Sequence, residues 1–220
     1  MKPILFSTDM VRAILEGRKT VTRRAMKPQP EKSADSPYEC IGGRFAFRIG
    51  EYACTDQYKP PYRPGDILYV RETWAHPSGI EIKNGADPQM YLYKADVFQP
   101  AAWDKWHPSI YMPCEAARIF LRVADVRVER LHEFGIEDAK KEGVVPISRP
   151  GGCRCQWAYD GCMEEPCQNR AAYEIDRHVD PFVKLWDSII KPADRALYGW
   201  EANPWVWVIE FKRISREEAE

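Results

Sequence analysis

The run Gly17-Arg18-Lys19-Thr20-Val21-Thr22-Arg23-Arg24 is the densest concentration of reactive side chains in the sequence. A lysine beside two threonines can serve as a base next to a hydroxyl nucleophile, provided burial or a cationic neighbour lowers the lysine pKa. The same cluster could clamp a phosphate. Residues 1–30 hold seven basic side chains against two acidic ones, so a local positive patch fits that second use. In an arbitrary protein such a run is more often a solvated basic turn. Glu142 closes the polar stretch Glu137-Asp138-Ala139-Lys140-Lys141-Glu142-Gly143. A carboxylate at a helix C-terminus opposes the helix dipole, a small reason to suspect a role for it. The plainer outcome is an exposed polar residue.

Arg71-Glu72-Thr73-Trp74 offers a different chemistry. A tryptophan beside an arginine and a glutamate can stack a base and bond its edge. Trp103 and Trp106 add aromatic material, although tryptophan more often fills a core. Cys153, Cys155, Cys162 and Cys167 form a C-x-C-x6-C-x4-C pattern in a Gly- and Pro-flanked segment. Four thiolates can close a tetrahedral structural zinc site with no open position for catalysis. The segment has few large apolar residues, so metal binding would supply its folding energy. A reduced loop is the alternative, and disulfides rank third. Cys40, Cys54 and Cys114 are scattered and read as structural. The four histidines form no metal pair, and neither a Walker loop nor a Gly-x-Gly-x-x-Gly run occurs, which argues against nucleotide-triphosphate and dinucleotide enzymes.

The elements that must position these residues follow from pattern. Pro3–Ser7 reads as a strand. A helix should follow, capped by Ser7, Thr8 or Asp9, striped by Met10, Val11, Ile14 and Leu15, and stopped at Gly17. Thr20-Val21-Thr22 is β-favouring; there Thr20, Thr22 and Arg24 share one face and Val21 and Arg23 the other. Residues 31–43 are polar and turn-rich. A hairpin across Gly50, strands at Ile67–Thr73 and Gln89–Ala95, and a packed loop over 98–114 come next. Arg118–Leu131 is the longest strand, with a phase slip near Ala124-Asp125. Glu133–Glu142 predicts a short helix, Asp180-Pro181 the cap of another, and Pro204–Ile214 the last strand. This order is not a repeating βαβ pattern. It predicts an α+β fold with a small mixed or antiparallel barrel decorated by helices.

Size and composition set outer limits. With 220 residues, 45% apolar and 30% charged, the chain has the balance of an ordinary globular domain. A net charge of −1 is not that of a wholesale basic nucleic-acid binder. No apolar run approaches a membrane span or a signal peptide, so the expectation is a soluble, cytoplasmic protein. We expect one domain over 1–220, with a Cys-rich insertion at 145–178.

The segment Gly17 to Arg24 resembles the G-x-K-x-x-T-x-R signature of the ASCH domain, a branch of the PUA-like superfamily. The likeness continues through Pro64–Trp74, Pro108–Pro113, Leu131–Gly143, Leu185–Ile189 and Gly199–Phe211, and covers about half of the chain. The ordered set is similar to ASCH-type proteins of bacteriophages and prophages. The resemblance implies a PUA-like barrel with a cleft, and a link to RNA or modified nucleobases and nucleosides. Some small ASCH proteins are amidohydrolases that deacetylate N4-acetylcytidine with a lysine and threonine in K-x-x-T and a later glutamate. Lys19 and Thr22 match the first two, and Glu142 best matches the third. Arg24, Arg71, Glu72 and Trp74 would then hold the base. Other ASCH proteins are linked to RNA binding or ribonuclease activity, and a phage protein docking a host partner is a further alternative. The chain is about twice as long as the small amidohydrolases, and the cysteine cluster is not part of the signature.

Overall fold

The computed structural model describes residues 1–31, 33–53, 56–76, 91–96, 105–146 and 170–219. The first strand, β1, is Lys2–Leu5, followed by helix α1 at Thr8–Leu15 and strand β2 at Val21–Ala25. Next come β3 (Ser36–Cys40), β4 (Arg44–Ile49), β5 (Tyr52–Ala53), β6 (Ile67–Arg71), β7 (Trp74–Ala75) and β8 (Leu92–Tyr93). Strand β9 is Phe120–Arg130, and helices α2 (Ile136–Lys141), α3 (Arg170–Ile189) and α4 (Arg195–Tyr198) precede β10 at Trp205–Ile214. The architecture is α+β. Its main sheet has five strands in the order β1-β6-β9-β10-β2; β1 is parallel to β6, and β6 is antiparallel to β9. Among the described residues no pairing joins β1 to β2 to close that order into a barrel.

The chain divides into two compact units. One comprises Met1–Thr20, Pro61–Val126 and Ile209–Glu220, and the other Val21–Pro60 and Arg127–Val208.

In the first unit, α1 forms where its capping signal stands. Ser7 Oγ accepts the Met10 N–H at 3.5 Å, and Val11, Ala13 and Ile14 are buried. Gly17 takes φ +75, a conformation glycine adopts without a Cβ penalty, and ends the helix. The N–H groups of Arg18 and Lys19 then donate to the Ala13 carbonyl at 2.9 and 3.0 Å. Tyr69, Trp74, Tyr93, Met112 and Phe120 form a core cluster of this unit.

In the second unit, Val21, Leu131, Phe134, Phe182, Trp186 and Val208 form the core cluster that packs α2 and α3. A short 3-10 turn at Leu131–Glu133 leads into α2, which Gly143 ends at φ +76. The rings of Phe134 and Phe182 stack at 3.8 Å.

Two expectations need correction. Residues 31–43 are not all turn: Ser36–Cys40 forms β3, antiparallel to β4. It is an edge strand of a three-stranded sheet, where Pro37 is tolerated and polar residues face water, so alternation is muted. Pro181 does not begin a helix; it lies inside α3. A proline costs least in a first turn, which is what the sequence suggested. Here the apolar stripe continues through it, with Phe182 and Trp186 buried and the Trp186 Nε1–H donated to the Tyr198 carbonyl at 2.8 Å.

The strand slip near Ala124-Asp125 appears as two successive exposed residues in β9. Gln89, Met90 and residues 97–104 fall outside the described residues, as do Cys54 and the four clustered cysteines at 153–167.

Candidate functional site

The basic run after α1 is solvated only in part: Gly17, Arg18 and Thr20 are exposed, and the reactive side chains between and after them are not. Lys19 is 3% exposed, Thr22 2% and Arg23 3%. Strand β2 carries Thr22 and Arg23 inward as part of a burial pattern that opens with three buried residues. In the first unit, the Lys19 ammonium lies 5.7 Å from the centroid of Phe6, whose ring packs at 6.1 Å from Phe211. The helix end fixes the Lys19 backbone, so the side chain leaves a defined position.

In the second unit, alternation along β2 puts Val21, Arg23 and Ala25 on one face, where Val21 and Ala25 pack with the cluster containing Phe134 and Ala139. Thr22 and the half-buried Arg24 alternate to the other face. The Arg23 guanidinium meets three carboxylates. Nη1 donates to Glu142 Oε1 at 3.3 Å; Nη2 donates to Glu129 Oε2 at 3.2 Å and to Asp138 Oδ1 at 2.6 Å. Its carbon sits 4.9 Å from the Phe134 ring centroid. Arg23 Nε is buried and has no partner among the described residues.

Glu142 is 6% exposed at the C-cap of α2, so it is not the exposed polar residue that its composition suggested. Asp138 also accepts the Gly135 N–H through Oδ2 at 3.2 Å, which satisfies the start of the same helix. Burial acts to raise the Asp138 carboxyl. The Arg23 bond and charge, with the Gly135 N–H, more than offset that and hold it below its ordinary value.

Of the expected base-holding residues, Arg24 lies in the second unit, and Arg71, Glu72 and Trp74 lie in the first, where they are engaged with protein groups. Glu72 is 1% exposed, and Arg118 grips both its oxygens, Nε to Oε1 at 2.9 Å and Nη2 to Oε2 at 3.1 Å. Arg118 also binds Asp96 and lies 3.9 Å over the Tyr93 ring. Burial pushes the Glu72 carboxyl up, and the Arg118 bonds only partly counter it. Trp74 is buried in an aromatic cluster, stacked on His107 at 4.9 Å and edge-on to His76 and Tyr91 at 4.6 and 5.6 Å. Burial and the neighbouring His107 hold His76 below its ordinary pKa. Arg71 Nη1 donates to the Ile110 carbonyl at 3.2 Å, with the guanidinium 5.5 Å from the Tyr69 ring.

The structure therefore joins Glu142 to Arg23, and Glu72 to Arg118. Reading the sequence alone missed Arg23 as a hub, and with it Asp138, Glu129, Arg118 and Asp96. A usable signal was there: an arginine on the same strand face as Val21 and Ala25 must be buried with a counter-charge. The expected zinc ligands Cys153, Cys155, Cys162 and Cys167 lie outside the described residues. Among the described residues no group of three or more His, Cys, Asp or Glu could hold a metal, and no helix is long and apolar enough to cross a membrane. A scan against protein-family models finds no match, and searches of curated proteins and of solved structures find none either.

Proposed function

We propose that the chain is an ASCH-type protein, with a PUA-like barrel, that hydrolyses an amide on a modified nucleobase or nucleoside of the N4-acylated cytosine class. The observation that carries this reading is burial. The three residues that match the amidohydrolase pattern, Lys19, Thr22 and Glu142, are polar or charged and yet are 3%, 2% and 6% exposed. Burying such groups is costly, and a surface phosphate clamp has no use for it. Arg23, which a phosphate could have claimed, is committed to three carboxylates.

In this scheme Lys19 takes the proton of Thr22. The Thr22 oxygen attacks the amide carbonyl, the C–N bond breaks, and the amine of the base leaves with a proton. Water then cleaves the ester to release the carboxylic acid and restore the Thr22 hydroxyl, and Glu142 passes protons in both halves. Arg24, Arg71, Glu72 and Trp74 are the proposed base-holding set. A PUA-like fold with RNA as the wider partner belongs to the same reading, as does a structural zinc at the cysteine cluster.

The test is chromatographic. N4-acetylated cytosine, cytidine and cytidine monophosphate are incubated with wild type, Lys19→Met and Thr22→Val, beside single-stranded RNA, and each variant's folding is checked by circular dichroism. Removal of a general base should lower turnover by about 10²–10⁴-fold in folded Lys19→Met. Full activity in that variant sinks the scheme. No turnover of any amide by wild type, with RNA retained on the protein, replaces it with a nucleic-acid-binding module; cleaved RNA replaces it with a ribonuclease. Full activity in Thr22→Val alone moves the nucleophile from threonine to water.

A further inference from the structure

A proton-transferring carboxylate must be held in place, and one group that holds Glu142, Arg23, stands outside the three residues of the scheme. We infer that Arg23 is a positioning residue for Glu142; the inference rests on the amide-hydrolase reading. Its side chain is 1% exposed, the most buried member of its cluster. Two of its anchors are themselves tied down. Asp138 is fixed by the Gly135 N–H at 3.2 Å, and Glu129 by Arg127 Nε at 2.5 Å. The guanidinium is thus held from α2 and from β9 and packed against Phe134. From that fixed platform Nη1 reaches Glu142. A planar fork can serve several carboxylates at set angles, which a lysine ammonium on a flexible stem cannot.

The third carboxylate is the informative one. Glu129 and Asp138 are 22% and 27% exposed and, with Arg127 on Glu129, balance the two arginines. Glu142, at 5% side-chain exposure, is a third carboxylate taken out of water at the same guanidinium. It also sits at the C-terminal end of α2, where the dipole opposes it. Two separate costs fall on one residue, and the Arg23 bond helps to offset them and fixes where its carboxylate lies.

The experiment compares kcat and KM on N4-acetylcytidine for the full chain as wild type, Lys19→Met, Arg23→Lys and Glu129→Gln, with the exposed Glu137→Gln as control. Loss of the fork should lower kcat by about 10–100-fold in Arg23→Lys while KM changes less than about twofold. Glu129→Gln keeps Arg23 and loosens one anchor, and should lower kcat by about threefold. Arg23→Ala should regain part of its kcat when methylguanidinium is added, which a purely structural role would not produce. If wild type is active, Lys19→Met is dead, and both Arg23→Lys and Glu129→Gln turn over at the wild-type kcat, Arg23 is only fold-forming and the amide-hydrolase reading stands. Should Arg23→Lys fail to fold, Glu129→Gln and the methylguanidinium rescue decide: unchanged kcat with no rescue overturns the inference. No turnover by wild type removes the reading and the inference together.

Discussion

Each compact unit gathers carboxylates around one arginine, and the two arrangements differ in how the bonds are shared. Arg118 chelates a single deeply buried acid, Glu72, through two bonds, and adds Asp96 on its outer side. Both Glu72 oxygens accept a bond from that fork. Arg23 instead gives one bond to each of three acids on two elements. A closed fork holds one acid in one orientation. A shared guanidinium fixes several groups relative to one another. The two environments also pull their acids opposite ways: Glu72 lies above its ordinary pKa because burial wins, and Asp138 below it because the Arg23 bond wins.

The largest effect should come from removing the cation of the closed fork. Arg118→Met leaves Glu72 buried without its partner, and stability measured by urea unfolding should fall by about 3–5 kcal/mol. The loss should shrink as pH falls, because Glu72 can then be protonated. A loss of less than about 1 kcal/mol would mean that the Arg118 fork is not structural and would remove one side of the comparison.

The anchor of the shared cluster should give a smaller and pH-dependent effect. Asp138→Asn removes a charged hydrogen bond from a partly exposed group, so about 1.5 kcal/mol is expected at neutral pH. Because the folded pKa of Asp138 is depressed, its stabilisation is present above the ordinary value of 3.8 and is lost as pH falls through the folded value. The stabilities of wild type and Asp138→Asn should therefore converge in acid. Glu72 has the opposite sign. The folded state holds its proton more tightly, so the stability of wild type relative to Glu72→Gln should fall as pH rises above 4.5 towards the raised value. Arg23, Arg127, Glu129 and Glu142 surround Asp138, and Arg118 and Asp96 surround Glu72, so each curve is read against its own variant. Parallel pH slopes in the two difference curves would break the comparison.

The same contrast explains what the sequence disclosed. Local signals were legible where a single physical cause acted. Ser7 capped α1, Gly17 and Gly143 ended helices at positive φ, and the alternation of β9 slipped where two successive residues meet water. The motif lysine and threonine were named from their types, but their burial was not, because basic runs usually face solvent. Arg23 and Arg118 were passed over because their partners lie 106–119 and 22–46 positions away, and no local pattern encodes such a pairing. Pro181 misled for a related reason. Its local preference is for a helix start, while the packing of Phe182 and Trp186 carries α3 through it.

The smallest effect separates the outer partners of the two clusters. Asp96 is 49% exposed on Arg118, whereas Asp138 is 27% exposed on Arg23. Water screens the Asp96 pair, and Glu72 holds Arg118 by two bonds of its own. Asp96→Asn should therefore cost less than about 1 kcal/mol, and the difference should fade in added salt. Thermal melts of Asp96→Asn and Asp138→Asn in low and high salt measure both. Equal losses would mean that neither exposure nor the sharing of one guanidinium among several acids sets the worth of an outer acid. A loss confined to Asp138→Asn and resistant to salt would mean that Arg23 depends on every acid it holds, as a platform for Glu142 requires.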